Sequence, residues 1–74
     1  MKPETRAIKN FGKTVRQLRD ERGLSQEQLA ELLYKDRAYI SQVERGQKNV
    51  TLKTMVLIAK SLNVDISFAG NILF

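Results

Sequence analysis

Residues 24–46 read LSQEQLAELLYKDRAYISQVERG, and this stretch decides the fold. Ser25 has Gln28 three positions on, the spacing of a capping box in which each side chain satisfies the other's free backbone amide. Leu29, Leu32 and Leu33 give the segment that follows a buried side, and Ala30 is small enough for another helix to come close. Tyr34 and Lys35 make the turn. Asp36 is a second N-cap, and the positive end of the helix dipole also favours its carboxylate there. The next helix runs from residue 37 to about 45 and is stopped by Gly46. The stretch is therefore two short capped helices separated by a tight turn.

On a helical wheel, the second helix of the pair turns Ile40 and Val43 inward, with Tyr39 on one flank and Glu44 on the other. Arg37, Ser41 and Arg45 share the outer face, joined by Ala38 and Gln42. This is the geometry of a helix-turn-helix, in which one helix is anchored and the next is offered to a DNA groove. A helix lodged in a major groove needs long donors that reach base edges and short residues where the backbone comes close. Arginine can read guanine, glutamine can read adenine, and a methyl such as that of Ala38 can touch thymine. Gln26, at the start of the first helix of the pair, sits where free amides and the dipole favour a phosphate. Lys48 and Asn49, in the following loop, are placed to grip the same backbone farther along. Glu44 lies beside Ile40, where an unpaired carboxylate would cost several kcal/mol. It is expected to pair with an arginine of the preceding helix, and Arg19 is the best candidate.

Outward from this core, residues 5–22 carry Ile8, Phe11, Val15 and Leu18 at spacings of three and four, the stripe of an amphipathic helix. Lys9, Lys13, Arg16 and Asp20 lie opposite. Gly23 follows where a left-handed residue can stop the helix, and Gly12 weakens its middle by roughly 1 kcal/mol relative to alanine. Beyond the loop GQKN, Thr51 caps a fourth helix whose inward stripe is Leu52, Met55, Val56, Ala59 and Leu62, ended by Asn63. The tail VDISFAGNILF is open to two readings: Val64, Ile66 and Phe68 alternate as in a strand, and a short fifth helix fits equally. No repeat or linker divides the chain. The expectation is one domain over residues 1–74, with the helix-turn-helix at about 25–45 and a closing or dimerising segment at 63–74.

Composition narrows the function classes. The chain has 74 residues, 42% hydrophobic and 28% charged, which suits one small globular domain. Chains of this size bury only about 60% of their unfolded surface, and self-association is a common remedy. There is no cysteine and no histidine, so a metal site or an acid/base pair would need carboxylates alone. Asp20, Glu21, Glu27 and Glu31 form no such constellation. No catalytic residue, metal, cofactor or small-molecule ligand is expected. The longest apolar run, residues 55–59, is too short for a bilayer, and MKPETRAIKN lacks the apolar core of a signal peptide. Both point to a cytoplasmic protein with no membrane partner. Thirteen basic against eight acidic residues give a net charge of +5, a balance that fits a nucleic-acid partner.

Over residues 11–68 the chain resembles the lambda-repressor-like, Cro/C1-type helix-turn-helix family. VRQLRDERGLSQEQLAE, RAYISQVERG and IAKSLNV carry the likeness. The resemblance implies an all-α, compact bundle of about five short helices, and a homodimer on a pseudo-palindromic, double-stranded DNA operator. It implies Gln26 on phosphate and Arg37, Ala38, Ser41 and Gln42 towards bases, and it supports the Arg19–Glu44 pair. Within the family, DRAYISQVERGQKNVTL is most similar to the controller proteins of restriction–modification systems. Those regulate their own gene and the endonuclease gene, activating or repressing by how many operators are filled, so RNA polymerase is a further possible partner. There the positions matching Arg37, Tyr39, Arg45, Lys48 and Asn49 meet the DNA. A phage-type repressor, or the antitoxin of a toxin–antitoxin pair, is the alternative. Two positions depart from the pattern. Tyr34 stands where the family usually has glycine, a mildly strained choice that leaves room for a rearranged turn. Ala38 stands where the controllers usually have threonine, which removes a hydroxyl from the base-facing side.

Overall fold

The computed structural model describes residues 2–65, and all regular structure among them is helical. Four helices follow in order: α1 Pro3–Glu21, α2 Gln26–Leu32, α3 Arg37–Glu44 and α4 Leu52–Ser61. The expected count of about five is thus four among the described residues. The tail from residue 66 on, with the strand or fifth helix expected there, lies outside them.

Local chemistry sets the starts. Proline needs no hydrogen-bonded amide in the first turn, so α1 begins at Pro3, two residues earlier than the apolar stripe suggests. Ser25 Oγ accepts from Gln28 N at 3.0 Å, and Gln28 Oε1 accepts from Ser25 N at 2.7 Å, completing the capping box. Asp36 Oδ1 accepts from Tyr39 N at 2.8 Å. Thr51 Oγ1 accepts from Thr54 N at 3.2 Å.

The ends share one device. Each helix closes with a left-handed residue and a pair of backbone bonds that satisfy its last carbonyls. After α2, Tyr34 N donates to Glu31 O and Lys35 N to Ala30 O, at 3.2 and 2.9 Å. The left-handed residues are Gly23 and Gly46, and also Tyr34 and Asn63, with φ of 56° and 57°. The turn is therefore not rearranged around Tyr34: the tyrosine takes the conformation usual for glycine and keeps its side chain 96% exposed.

Phe11 and Val15 of α1, Leu29 and Ala30 of α2 with its C-cap Leu33, Ile40 and Val43 of α3, and Ile58 of α4 with its C-cap Leu62 form one core. Each large side chain so buried contributes about 1.5–3 kcal/mol. Two expectations need correction. Leu32 is 53% exposed and Leu52 is 69% exposed, whereas Ile58, outside the expected stripe, is completely buried. A seven-residue helix has room for one narrow apolar stripe, and Leu29 and Ala30 fill it, extended by the C-cap Leu33. Leu52 opens α4, ahead of the turn that meets the core. Helix α3 packs on both α1 and α2. One of its contacts with α1 is at Gly12, where a Cβ would lie 2.9 Å from the Glu44 carbonyl oxygen and closer still to that of Val43. Arg22 Nε donates to the Leu62 carbonyl and ties the end of α1 to the end of α4.

Candidate nucleic-acid interface

The inner side of α3 is held at three points. Ile40 and Val43 are 0% and 1% exposed. Behind them Arg19 grips Glu44 with two parallel hydrogen bonds, Nε to Oε2 at 2.7 Å and Nη2 to Oε1 at 3.0 Å. Both residues are 8% exposed. Arg19 Nη1 also donates to the Leu24 carbonyl at 2.8 Å and approaches Asp20 at 3.2 Å. Glu44 Oε1 accepts a further bond from Gln26 Nε2 at 3.1 Å. No buried side-chain polar atom among the described residues is left without a partner. The hydrogen bonding to Glu44 raises the Arg19 pKa, burial works against that, and the charges of Glu44 and Asp20 add to the rise.

The outer side is open. Arg37, Ala38 and Arg45 are exposed, and Ser41 and Gln42 are half-buried. All five line one shallow depression. Arg37 has no hydrogen-bond or ion-pair partner among the described residues. Arg45 Nε donates to the Ser41 carbonyl at 3.3 Å, so its stem lies back along the helix. A neighbouring depression is lined by Tyr34, Lys35, Asp36, Ala38, Tyr39, Gln42 and Lys48. At its centre the Tyr39 ring has Lys35 Nζ at 5.2 Å and Lys48 Nζ at 5.6 Å from its centroid, both within cation–π range.

The structure thus gathers Arg37, Ala38, Ser41, Gln42 and Arg45 on one surface and brings Tyr39 and Lys48 to its edge. Asn49 is exposed in the same loop as Lys48. Gln26 is placed differently: it is half-buried, with its amide turned to Glu44. Two residues that sequence reasoning left out belong to the arrangement. Lys35 reaches the Tyr39 ring from the turn ahead of the α3 N-cap, where no helical spacing rule flags it. Gly12 looked like a weak spot in a helix, and nothing in its neighbours signals the carbonyls of α3 that it faces.

Residues 15–68 match the family model described as "Helix-turn-helix". The chain is 48% identical over 56 residues to the control protein C.SmaI of Serratia marcescens, covering 76% of this chain and 67% of that one. Only 12% of the longer regulator RamB of Mycobacterium tuberculosis is matched, at 39% identity over 57 residues. Among solved structures it is similar to the restriction–modification controller protein C.AhdI from Aeromonas hydrophila. The TM-score is 0.77 at 42% identity, over 90% of this chain and 96% of that one. It is also similar to the controller protein C.Esp1396I, solved as a tetramer with its natural 35-base-pair operator. There the TM-score is 0.78 at 34% identity, over 90% and 88% of the two chains.

Proposed function

Because the chain belongs to the Cro/C1-type helix-turn-helix family, and within it to the restriction–modification control proteins, we propose that it is a transcriptional regulator. It binds a pseudo-palindromic operator as a homodimer and controls the genes of such a system in the cytoplasm. One observation carries this reading: α3 is clamped from behind by Ile40, Val43 and the Arg19–Glu44 pair, while Arg37, Ala38 and Gln42 face outward.

In this reading α3 enters the major groove. Arg37 and Gln42 supply the paired donors and acceptors that discriminate guanine and adenine, and Ser41 adds a short hydroxyl. Ala38 offers only a methyl, which favours contact with a thymine methyl. Tyr39, Arg45, Lys48 and Asn49 hold the sugar–phosphate backbone and fix register without reading sequence. Gln26 does so from the start of α2, oriented by Glu44. Two copies related by a two-fold axis place their α3 helices in half-sites about one helical turn, or a multiple of it, apart. RNA polymerase is the partner that an activating arrangement would recruit.

The test is a footprint on the DNA upstream of the chain's own gene, with competition by random duplex at the same salt. A protected pseudo-palindrome supports the reading. Equal affinity for upstream and random DNA overturns it. A monomer in sedimentation at tens of micromolar, with and without DNA, would remove the dimer.

A further inference from the structure

Helix α1 carries a second cationic surface that the reading of α3 leaves unused. Lys9, Lys13 and Arg16 are exposed and, at spacings of four and three, lie on one stripe of the helix. With Arg45 and Glu44 they line an open groove between α1 and the C-terminal end of α3. Arg45 lines both this groove and the outer depression of α3, so the two surfaces are continuous through it. The acid in the lining, Glu44, is already neutralised by Arg19 at 2.7 Å. Arg16 pairs only loosely with Asp20, at 3.9 Å, both side chains being exposed. Lys9 and Lys13 have no ion-pair partner among the described residues. Like charges four residues apart disfavour a helix, so the stripe is not there for the sake of α1.

Its placement is rigid. A Cβ on Gly46 would lie 2.6 Å from Lys9 Cγ and 3.0 Å from Lys9 Cα, and Gly12 sits equally tightly on the last carbonyls of α3. Two glycines therefore bring α1 and the end of α3 close enough to fix Lys9 relative to Arg45.

We propose that α1 is a second phosphate-binding element, in which Lys9, Lys13 and Arg16 continue from Arg45 along one strand of the duplex whose groove α3 enters. The proposal rests on the reading of α3 as the base-facing helix. A helix in a major groove lies between two walls of phosphate, and cations beside its C-terminal end face one of them. Residues 9–16 cover about 10 Å along the helix axis. Successive phosphates of one strand are about 7 Å apart through space, twice their axial rise of about 3.4 Å, so the stripe suits about two phosphates. Such contacts set register and affinity and carry no base information.

The experiment compares the full chain with the double variant Lys9→Ala/Lys13→Ala over a salt series, on a random-sequence duplex and on one carrying the upstream region. Each phosphate contact contributes about 0.9 to the slope of log affinity against log salt, so the slope should shrink by about 1.8, equally on both duplexes. Far-UV circular dichroism should be unchanged and the melting temperature the same or slightly higher, because both lysines are exposed and their repulsion is removed. Lys60→Ala on α4, which removes a charge elsewhere, should leave the slope as it is. An unchanged slope in the double variant overturns the proposal and leaves the stripe to solvent or to an acidic protein. A slope loss for Lys60→Ala matching that per lysine of α1 also overturns it, since net charge alone would then suffice. If the unsubstituted chain shows an Arg37-dependent base preference while the double variant keeps its slope, only this proposal fails. If the unsubstituted chain binds no duplex at all, the reading of α3 fails with it.

Discussion

On one side of α3, Ile40 and Val43 are sealed from solvent and Glu44 is bonded to both Arg19 and Gln26. On the other, the Arg37 side chain has no hydrogen-bond or ion-pair partner among the described residues, and Ser41 and Gln42 are only half covered. The two sides lie on one helix of eight residues, yet they answer to different physics. The inner side is over-determined: shape, charge and hydrogen bonding each fix it, and losing any one exposes the others. The outer side is under-determined by the protein, which is what a surface completed by a second molecule requires. Substitutions should therefore separate cleanly, the inner ones acting on stability and the outer ones on DNA.

The hardest blow to that division is Glu44→Ala. It strands the buried Arg19 guanidinium and should lower the unfolding free energy in urea by about 3–5 kcal/mol. Replacing both partners together, as Arg19→Met with Glu44→Leu, should recover a large part of the loss. A single-variant cost under about 1 kcal/mol, the range of an exposed pair, would show that the pair does not anchor α3. Because the Arg19 pKa is raised in the folded protein, chiefly by its hydrogen bonding to the Glu44 carboxylate, its share of the stabilisation is present across the neutral range. On the alkaline side it is lost only as pH climbs through that raised value, so no neutral-range dependence should trace to it.

Gly12→Ala comes next. Overpacking against the Val43 and Glu44 carbonyls should cost about 1–3 kcal/mol despite alanine's better helix propensity, read from the urea midpoint. A stabilised variant would mean that α1 and α3 have slack between them.

Arg37→Ala crosses to the outer side. It should leave stability within about 0.5 kcal/mol while relaxing discrimination at one base position by about 1–3 kcal/mol. Mobility-shift assays on single-base variants of the protected sequence measure it. Equal losses on operator and random DNA would sink its base-reading role. Lys48→Ala should instead weaken every duplex alike and reduce the salt slope by about 0.9.

The smallest effect is expected at Tyr34, which has the left-handed conformation but no packing to hold it. Relief of strain in Tyr34→Gly, about 1–3 kcal/mol, is largely offset by the added chain entropy of glycine. A net gain of up to about 1 kcal/mol should appear in thermal melting. A loss would show that the exposed ring supports the fold.

Most of this division was legible in the residues because it rests on short-range rules. The Ser25–Gln28 box, the Asp36 and Thr51 caps and the inward Ile40 and Val43 are local patterns. The Arg19–Glu44 pair followed from the cost of burying a lone carboxylate. What escaped is long-range. Leu32 and Leu52 carry apolar side chains at plausible positions, but only the neighbouring helices decide which residues of a short stripe meet the core. Gly12 carries no local sign of the carbonyls it faces. The amide of Gln26 could be assigned to the start of α2 by position, whereas its bond to Glu44 depends on where α3 comes to rest.

The contact at Gly12 also has a meaning for anyone wishing to retarget the molecule. With no side chain between them, the backbone of one helix is the shim on which the other is levelled. If α3 is the helix that enters the duplex, rewriting the letters it reads is a matter of exchanging exposed residues. Changing the angle at which it is inserted would require altering the thickness of that seat, and every letter would shift together.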